Sequence, residues 1–180
     1  MGRDKALLEL GGRPLIALVA DKLAAVAAEI IIAADDVAAY TPFADRVVPD
    51  QFPGVGTLGG IHAGLAAAHH DLVLVVGCDM PFLQPAVLAR FAAAAAGFDV
   101  AILRRGRWVE PMHAAYRRTC LPAIEESIRA GDRRVISFFD AVRVRYLAPA
   151  EIADLDPELR SFMNINTPQD WQDALDALGE

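Results

Sequence analysis

The chain has 180 residues, 54% of them hydrophobic, which is enough for one core and too apolar for a disordered chain. Its net charge of −7 argues against general nucleic-acid binding. The longest uncharged run, 51–70, holds five glycines, a proline and three histidines, the make-up of a loop and helix and not of a membrane span. Cys78 and Cys120 offer neither a disulfide framework nor a zinc spacing. No signal peptide is visible at the start, so one cytoplasmic domain over residues 1–180 is expected.

The chain opens "MGRDKALLELGGRPL", in which Gly2, Asp4 and Lys5 resemble the end of a phosphate loop. Such a loop normally leaves a β-strand, and none lies before Met1 here, so the first strand is expected to be missing. Pro14 suits the first position of a helix running on through Leu15–Ala28. Glu29–Ala34 ("EIIIAA") reads as a buried strand, Asp35–Tyr40 as a short helix and Arg46–Asp50 ("RVVPD") as a second short strand. The loop "QFPGVGTLGG" leads into an Ala-rich helix at Ile61–His70.

Leu72–Val76 suits a central parallel strand buried on both faces. A helix at Pro85–Ala96, a strand at Phe98–Leu103 and a hairpin tip at "RRGRW" follow, and "EPMHAAYR" returns as a strand. Helices are expected at Leu121–Ala130 and in "DRRVISFFD", and strands at Val142–Leu147 and "FMNIN". "TPQDWQDALDAL" closes the chain as a helix with Thr167 as N-cap, Pro168 at its first position and Asp170 near the positive end of its dipole. The alternation of strands and helices indicates an α/β fold with a mainly parallel sheet, whose functional residues should follow the strands.

Four places meet that condition. Lys5 is one of only two lysines among 17 basic residues, and a compact ammonium suits a phosphate. The glycines of "PGVGTLGG", Gly59 among them, let backbone amides approach a ligand, and Asp50 just before them could accept from guanine N1–H and N2–H₂. Asp79, after the most apolar strand, is a natural Mg²⁺ ligand beside phosphates, whereas Cys78 reads as a small buried hydrophobe. Asn164 and Asn166 are the chain's two asparagines; alternating on a strand, they should face one side, where an amide oxygen can ligate a metal or a ribose hydroxyl. His113 reads as an ordinary strand histidine. The segment from Arg104 to Arg145 is net +5 against −12 for the remainder, consistent either with solvated faces or with a site for an anionic small molecule.

Taken in order, "MGRDKALLELGGRPL", "PGVGTLGG", "GCDMPFL", "EPMHAAYR", "GDRRV" and "FMNINTPQD" resemble the molybdenum cofactor guanylyltransferase family over nearly the whole chain. The resemblance implies a three-layer, Rossmann-like nucleotidyltransferase fold. It also implies transfer of GMP from Mg-GTP to the terminal phosphate of molybdenum-bound molybdopterin, with release of pyrophosphate. Asp79 and Asn166 would hold Mg²⁺, and Lys5, Asp50, Gly59 and Asp79 would bind GTP, with Asp79 and Lys5 the catalytic pair. Arg133, Arg134 and Asn164 would bind the acceptor. Molybdopterin-transfer proteins and apo-molybdoenzymes or their chaperones are the protein partners so implied.

The sequence departs from the family twice. The family has a strand, a Leu-Ala-Gly-Gly turn, then Ser and Arg before the Met-Gly seen here. It also has asparagines where this chain has "AADD", at Ala33–Asp36. Three other readings stay open: a cytidylyltransferase for the same cofactor, a sugar-phosphate nucleotidyltransferase, and a molybdopterin-binding relative that transfers nothing.

Overall fold

The computed structural model describes residues 4–179; Met1, Gly2 and Arg3 of the expected phosphate loop lie outside them. A small antiparallel hairpin, β1 (Glu9–Leu10) and β2 (Arg13–Pro14), turns through Gly11 and Gly12, both at positive φ. It delivers the chain to α1 (Leu15–Ala24). Pro14 is the residue before that helix and not its first, because it still pairs with Glu9 across the hairpin.

The elements then alternate: β3 (Ile31–Ala33), α2 (Val37–Tyr40), β4 (Arg46–Val48), α3 (Thr57–Ala67), β5 (Leu72–Val76), α4 (Pro85–Ala94), β6 (Val100–Arg105), β7 (Trp108–Arg117), α5 (Leu121–Arg129), β8 (Val144–Leu147) and α6 (Pro168–Gly179). Four strands form one sheet in the order β5-β7-β6-β8. The antiparallel pairs β5–β7 and β6–β7, with β6 parallel to β8, leave β5, β6 and β8 running one way and β7 alone returning. A separate parallel pair joins β3 to β4.

Side-chain alternation builds the three layers. On β6, Ala101 and Leu103 face Val87, Leu88 and Phe91 of α4 and Val19 of α1. Val100 and Ile102 face Leu58, Ile61 and Leu65 of α3 and Ile124 of α5. All of these except Val19 and Ile61 are fully buried, and those two are almost so. Large-to-small changes at such positions typically cost about 2–5 kcal/mol. Among the described residues, no helix is long and apolar enough to cross a membrane.

Among the described residues a slot separates the β3–β4 pair from the four-stranded sheet. Among the described residues β3 pairs only with β4, and β5 only with β7. Their facing edges line a cavity of about 840 Å³, walled by Ile30, Ile31 and Ile32 on one side and Leu72, Leu74 and Val76 on the other. This corrects the expectation of a doubly buried strand at Leu72–Val76: all five residues are half-buried, and among the described residues one edge of the strand has no neighbour.

Two further expectations fail. "FMNIN" is not a strand: a 3-10 turn, Arg160–Phe162, runs into an irregular segment. "DRRVISFFD" is no α-helix but a series of turns ending in the 3-10 turn Phe139–Ala141. His113 is structural, as expected. It is fully buried, stacks on Phe162 at 4.1 Å and donates from Nδ1 to the Ser161 carbonyl at 3.1 Å, while burial pushes its pKa down to about 4.

The slot makes a local stability prediction. By amide-resolved hydrogen exchange, the slot-facing amides of residues 31–33 and 72–76 should exchange roughly tenfold or more faster than those of β6, which is paired on both edges. Equal protection of the two sets would contradict open edges.

Candidate functional site

Lys5 begins a single 3-10 turn, Lys5–Leu7, which Asp4 holds in place. Asp4 Oδ1 accepts from the Ala6 amide at 3.1 Å, and its Oδ2 accepts a short hydrogen bond from the Tyr40 hydroxyl. Burial and the Asp4 carboxylate push the Tyr40 hydroxyl above its ordinary pKa, so it remains a donor. The Lys5 backbone is thereby tied to the end of α2, while its side chain stays about one-third exposed.

Asp79 follows β5 by three residues. The Gly77 amide bonds to the Met112 carbonyl at 3.0 Å, extending the β5–β7 ladder to the edge of the site. A Cβ at Gly77 would come within 2.6 Å of Asp79 Oδ1, so the carboxylate folds back over a position only glycine leaves open. The Asp79 carbonyl accepts from the Ile165 amide at 2.9 Å, which fastens the irregular segment before α6 to the end of β5.

That bond places the next residue, Asn166, beside Asp79. The Asn166 amide nitrogen donates to Asp170 Oδ2 at 2.8 Å and the Thr167 amide donates to the same oxygen at 2.7 Å. The Asp170 amide returns a bond to Thr167 Oγ1 at 3.1 Å. This reciprocal cap starts α6 and fixes the Asn166 backbone, and its backbone donors hold the Asp170 carboxyl below its usual pKa.

The three segments converge on one point. Lys5 Nζ lies 3.0 Å from Asp79 Oδ2 and 2.7 Å from Asn166 Oδ1. A carboxylate oxygen and a neutral amide oxygen thus face the same cation. Mg²⁺ takes few protein carboxylates and completes its shell with water and phosphate oxygens, so this donor pair fits it. Among the described residues no cluster of three or more His, Cys, Asp or Glu side chains could hold a metal without such outside ligands.

Asp50 lines the cavity between β3 and β5 with Asp35, Gly56, Thr57, Gly60 and Cys78, whereas Lys5, Asp79 and Asn166 are not among its lining residues. Its Oδ1 accepts from the Phe52 amide at 2.7 Å. A Cβ on Gly59 would lie 2.3 Å from Asp50 Oδ2. Gly59 therefore serves by letting the Asp50 carboxylate settle on the first turn of α3, at the positive end of its dipole. Cys78, expected to be buried, is exposed, because it lies on the open rim of the slot.

The structure does not bring the three expected acceptor residues to the Lys5 cluster. Arg133 donates to the Gly54 carbonyl at 3.0 Å and so braces the glycine-rich loop. Arg134 is forked onto Asp132, whose carboxyl it holds down to about 2. The Asn164 side chain is exposed, and among the described residues no hydrogen bond joins it to Lys5 or Asp79. With no strand there, the argument that Asn164 and Asn166 share a face falls.

Sequence reasoning missed Tyr40 and the anchoring role of Asp4. Tyr40 carries no motif; only its burial at the end of α2 reveals it. Across the positive segment, six of the ten arginines are paired with carboxylates, which supports solvated faces over a single anion site there.

Comparison with known proteins places this arrangement. Residues 1–145 match the MobA-like NTP transferase domain. The probable molybdenum cofactor guanylyltransferase of Pelotomaculum thermopropionicum is 42% identical over 170 residues, covering 94% of this chain and 83% of that protein. The molybdenum cofactor guanylyltransferase of Vibrio cholerae is 35% identical over 172 residues, covering 94% and 81%. The crystal structure of molybdopterin-guanine dinucleotide biosynthesis protein A from Archaeoglobus fulgidus superposes with a TM-score of 0.85 at 29% identity, over 99% of this chain and 92% of that one. A more distant structure, 2-C-methyl-D-erythritol 4-phosphate cytidylyltransferase from Thermus thermophilus, shares the fold with a TM-score of 0.74 at 19% identity. The chain is thus a nucleotidyltransferase, with a Rossmann-like fold in three layers, and it belongs to the molybdenum cofactor guanylyltransferase family.

Proposed function

We propose that this protein transfers GMP from Mg-GTP to the terminal phosphate of molybdenum-bound molybdopterin, as the names of its relatives suggest. The observation that carries the reading is the meeting of Lys5, Asp79 and Asn166, drawn from three distant segments, at the carboxyl end of β5. Two free cysteines and a nucleotide donor fit a cytoplasmic setting. We also read residues 1–180 as one domain, since both large apolar clusters pack on opposite faces of the same sheet.

In this reading an oxygen of the acceptor phosphate attacks the α-phosphorus of GTP. The bond to the oxygen bridging the α- and β-phosphates breaks, and pyrophosphate leaves with that electron pair. A phosphate monoester is already ionised near neutral pH, so no strong general base is required. The obstacle is the approach of one anion to another. Asp79 and Asn166 would hold Mg²⁺, which supplies charge compensation to the phosphates. Lys5 brings an ammonium to the triphosphate, and its anchored turn keeps it within reach. Asp50 accepts from guanine N1–H and N2–H₂, and Arg133 braces the glycine-rich loop beside it through the Gly54 carbonyl.

Asp79→Ala should lower GMP transfer about a thousandfold or more, the order expected when several kcal/mol of charge compensation are lost, with circular dichroism and hydrodynamic size unchanged. The assay is magnesium-dependent pyrophosphate release with each of the four nucleoside triphosphates and molybdenum-loaded molybdopterin. Release with GTP alone among them, lost in the variant, is the expected outcome. Unchanged turnover in the variant removes the metal assignment, and a preference for CTP removes the guanine one.

Asp50→Asn should weaken GTP more than it weakens ITP, which lacks the guanine amino group. The amide presents one acceptor and one misplaced donor to two guanine donors, a loss on the order of 1–3 kcal/mol. Equal losses for the two nucleotides, measured by calorimetric titration, would rule out base reading by Asp50.

A further inference from the structure

Resting on that reading, we propose that the Lys5 ammonium occupies the metal's place between Asp79 and Asn166 in the nucleotide-free protein and gives it up to the metal only when a triphosphate arrives. The protein would then take its divalent cation together with the nucleotide and hold it weakly without one.

The two oxygens proposed for the metal are the two that Lys5 Nζ already touches, at 3.0 and 2.7 Å. Mg²⁺ bonds oxygen at about 2.0–2.1 Å, so a metal shared by these oxygens and an ammonium shared by them fill one space. Two cations cannot share it, for reasons of volume and of charge. One must leave, and the chain settles which. Lys5 has a fixed root, because Asp4 caps its turn and Tyr40 holds Asp4. Its tip is free to move, being one-third exposed at the end of a flexible four-carbon stem. The triphosphate gives the departing ammonium a partner of higher charge than Asp79.

The residue type matters to this exchange. A lysine holds a carboxylate as a point charge and can be drawn off it, whereas an arginine grips with two parallel bonds. This chain carries 17 basic residues, and only Lys5 and Lys22 are lysine. The position that must release its partner holds one of the two. With Lys5 in place, Asp79 and Asn166 also remain together in the absence of metal, so the site is assembled before the nucleotide binds.

The test uses the 180-residue chain, Mn²⁺ as the metal probe, and the α,β-methylene analogue of GTP, which cannot be turned over. Free Mn²⁺ is followed by electron paramagnetic resonance, with and without the analogue. The wild type should bind Mn²⁺ weakly alone and at least tenfold more tightly with the analogue. Lys5→Met should bind Mn²⁺ alone at least tenfold more tightly than the wild type, and the analogue should add little to it. Lys5→Arg should bind Mn²⁺ alone no better than the wild type and gain less from the analogue. A Lys5→Met protein that binds Mn²⁺ alone no better than the wild type overturns the proposal, as does a Lys5→Arg protein that matches Lys5→Met.

Asp79→Asn separates this inference from the reading beneath it. If Asp79→Asn abolishes Mn²⁺ binding in the presence of the analogue while Lys5→Met behaves as wild type, only the exchange is wrong. If Asp79→Asn leaves that binding unchanged, the metal assignment fails and the exchange fails with it.

Discussion

The bond between the Asp79 carbonyl and the Ile165 amide, 2.9 Å long, joins the end of β5 to the approach of α6. The meeting of Asp79 with Asn166 depends on it. It sets Asn166 beside Asp79, although 87 positions separate the two in the chain. The reciprocal cap of Thr167 and Asp170 then fixes Asn166 from the helix side. Lys5 arrives from a third direction on a turn pinned by Asp4 and Tyr40. None of the three side chains has a long reach to cover, because the backbone has already brought them together. Such preorganisation places charge before the reaction needs it.

Glycine does the same work in two places. Gly59 and Gly77 each lie under a carboxylate oxygen, that of Asp50 and that of Asp79, closer than any Cβ could come. At these two positions the glycine is needed for close approach and not for a left-handed backbone, since neither has positive φ. A glycine in a helix normally costs stability, by about 0.5–1 kcal/mol relative to alanine. At Gly59 that cost accompanies the seating of Asp50 on the first turn of α3.

Much of this was legible in the sequence where one residue type had one physical use. Apolar runs located the strands and helices around the core, and Lys5, Asp79 and Asn166, which the structure brings together, were singled out from the expected strands beside them. What was not legible depended on partners distant in the chain. "FMNIN" alternates like a strand, yet one backbone bond to Asp79 and the turn at Arg160–Phe162 hold it as an irregular segment. Leu72–Val76 has the composition of a doubly buried strand, but burial is settled by neighbours, and among the described residues one of its edges is unpaired. "GDRRV" suggested an anion site, while the structure spends Arg133 on Gly54 and Arg134 on Asp132. Tyr40 was invisible because its role lies in one contact with Asp4 across 36 positions.

The central claim is that Asp79 and Asn166 together hold the metal of a guanine nucleotide complex. Anomalous diffraction from crystals grown with Mn²⁺ and a non-hydrolysable GTP analogue tests it most directly. The account predicts one Mn²⁺ peak bonded to Asp79 Oδ2, Asn166 Oδ1 and phosphate oxygens, with the guanine edge against Asp50. A Mn²⁺ peak on the triphosphate that touches neither Asp79 nor Asn166 would contradict it.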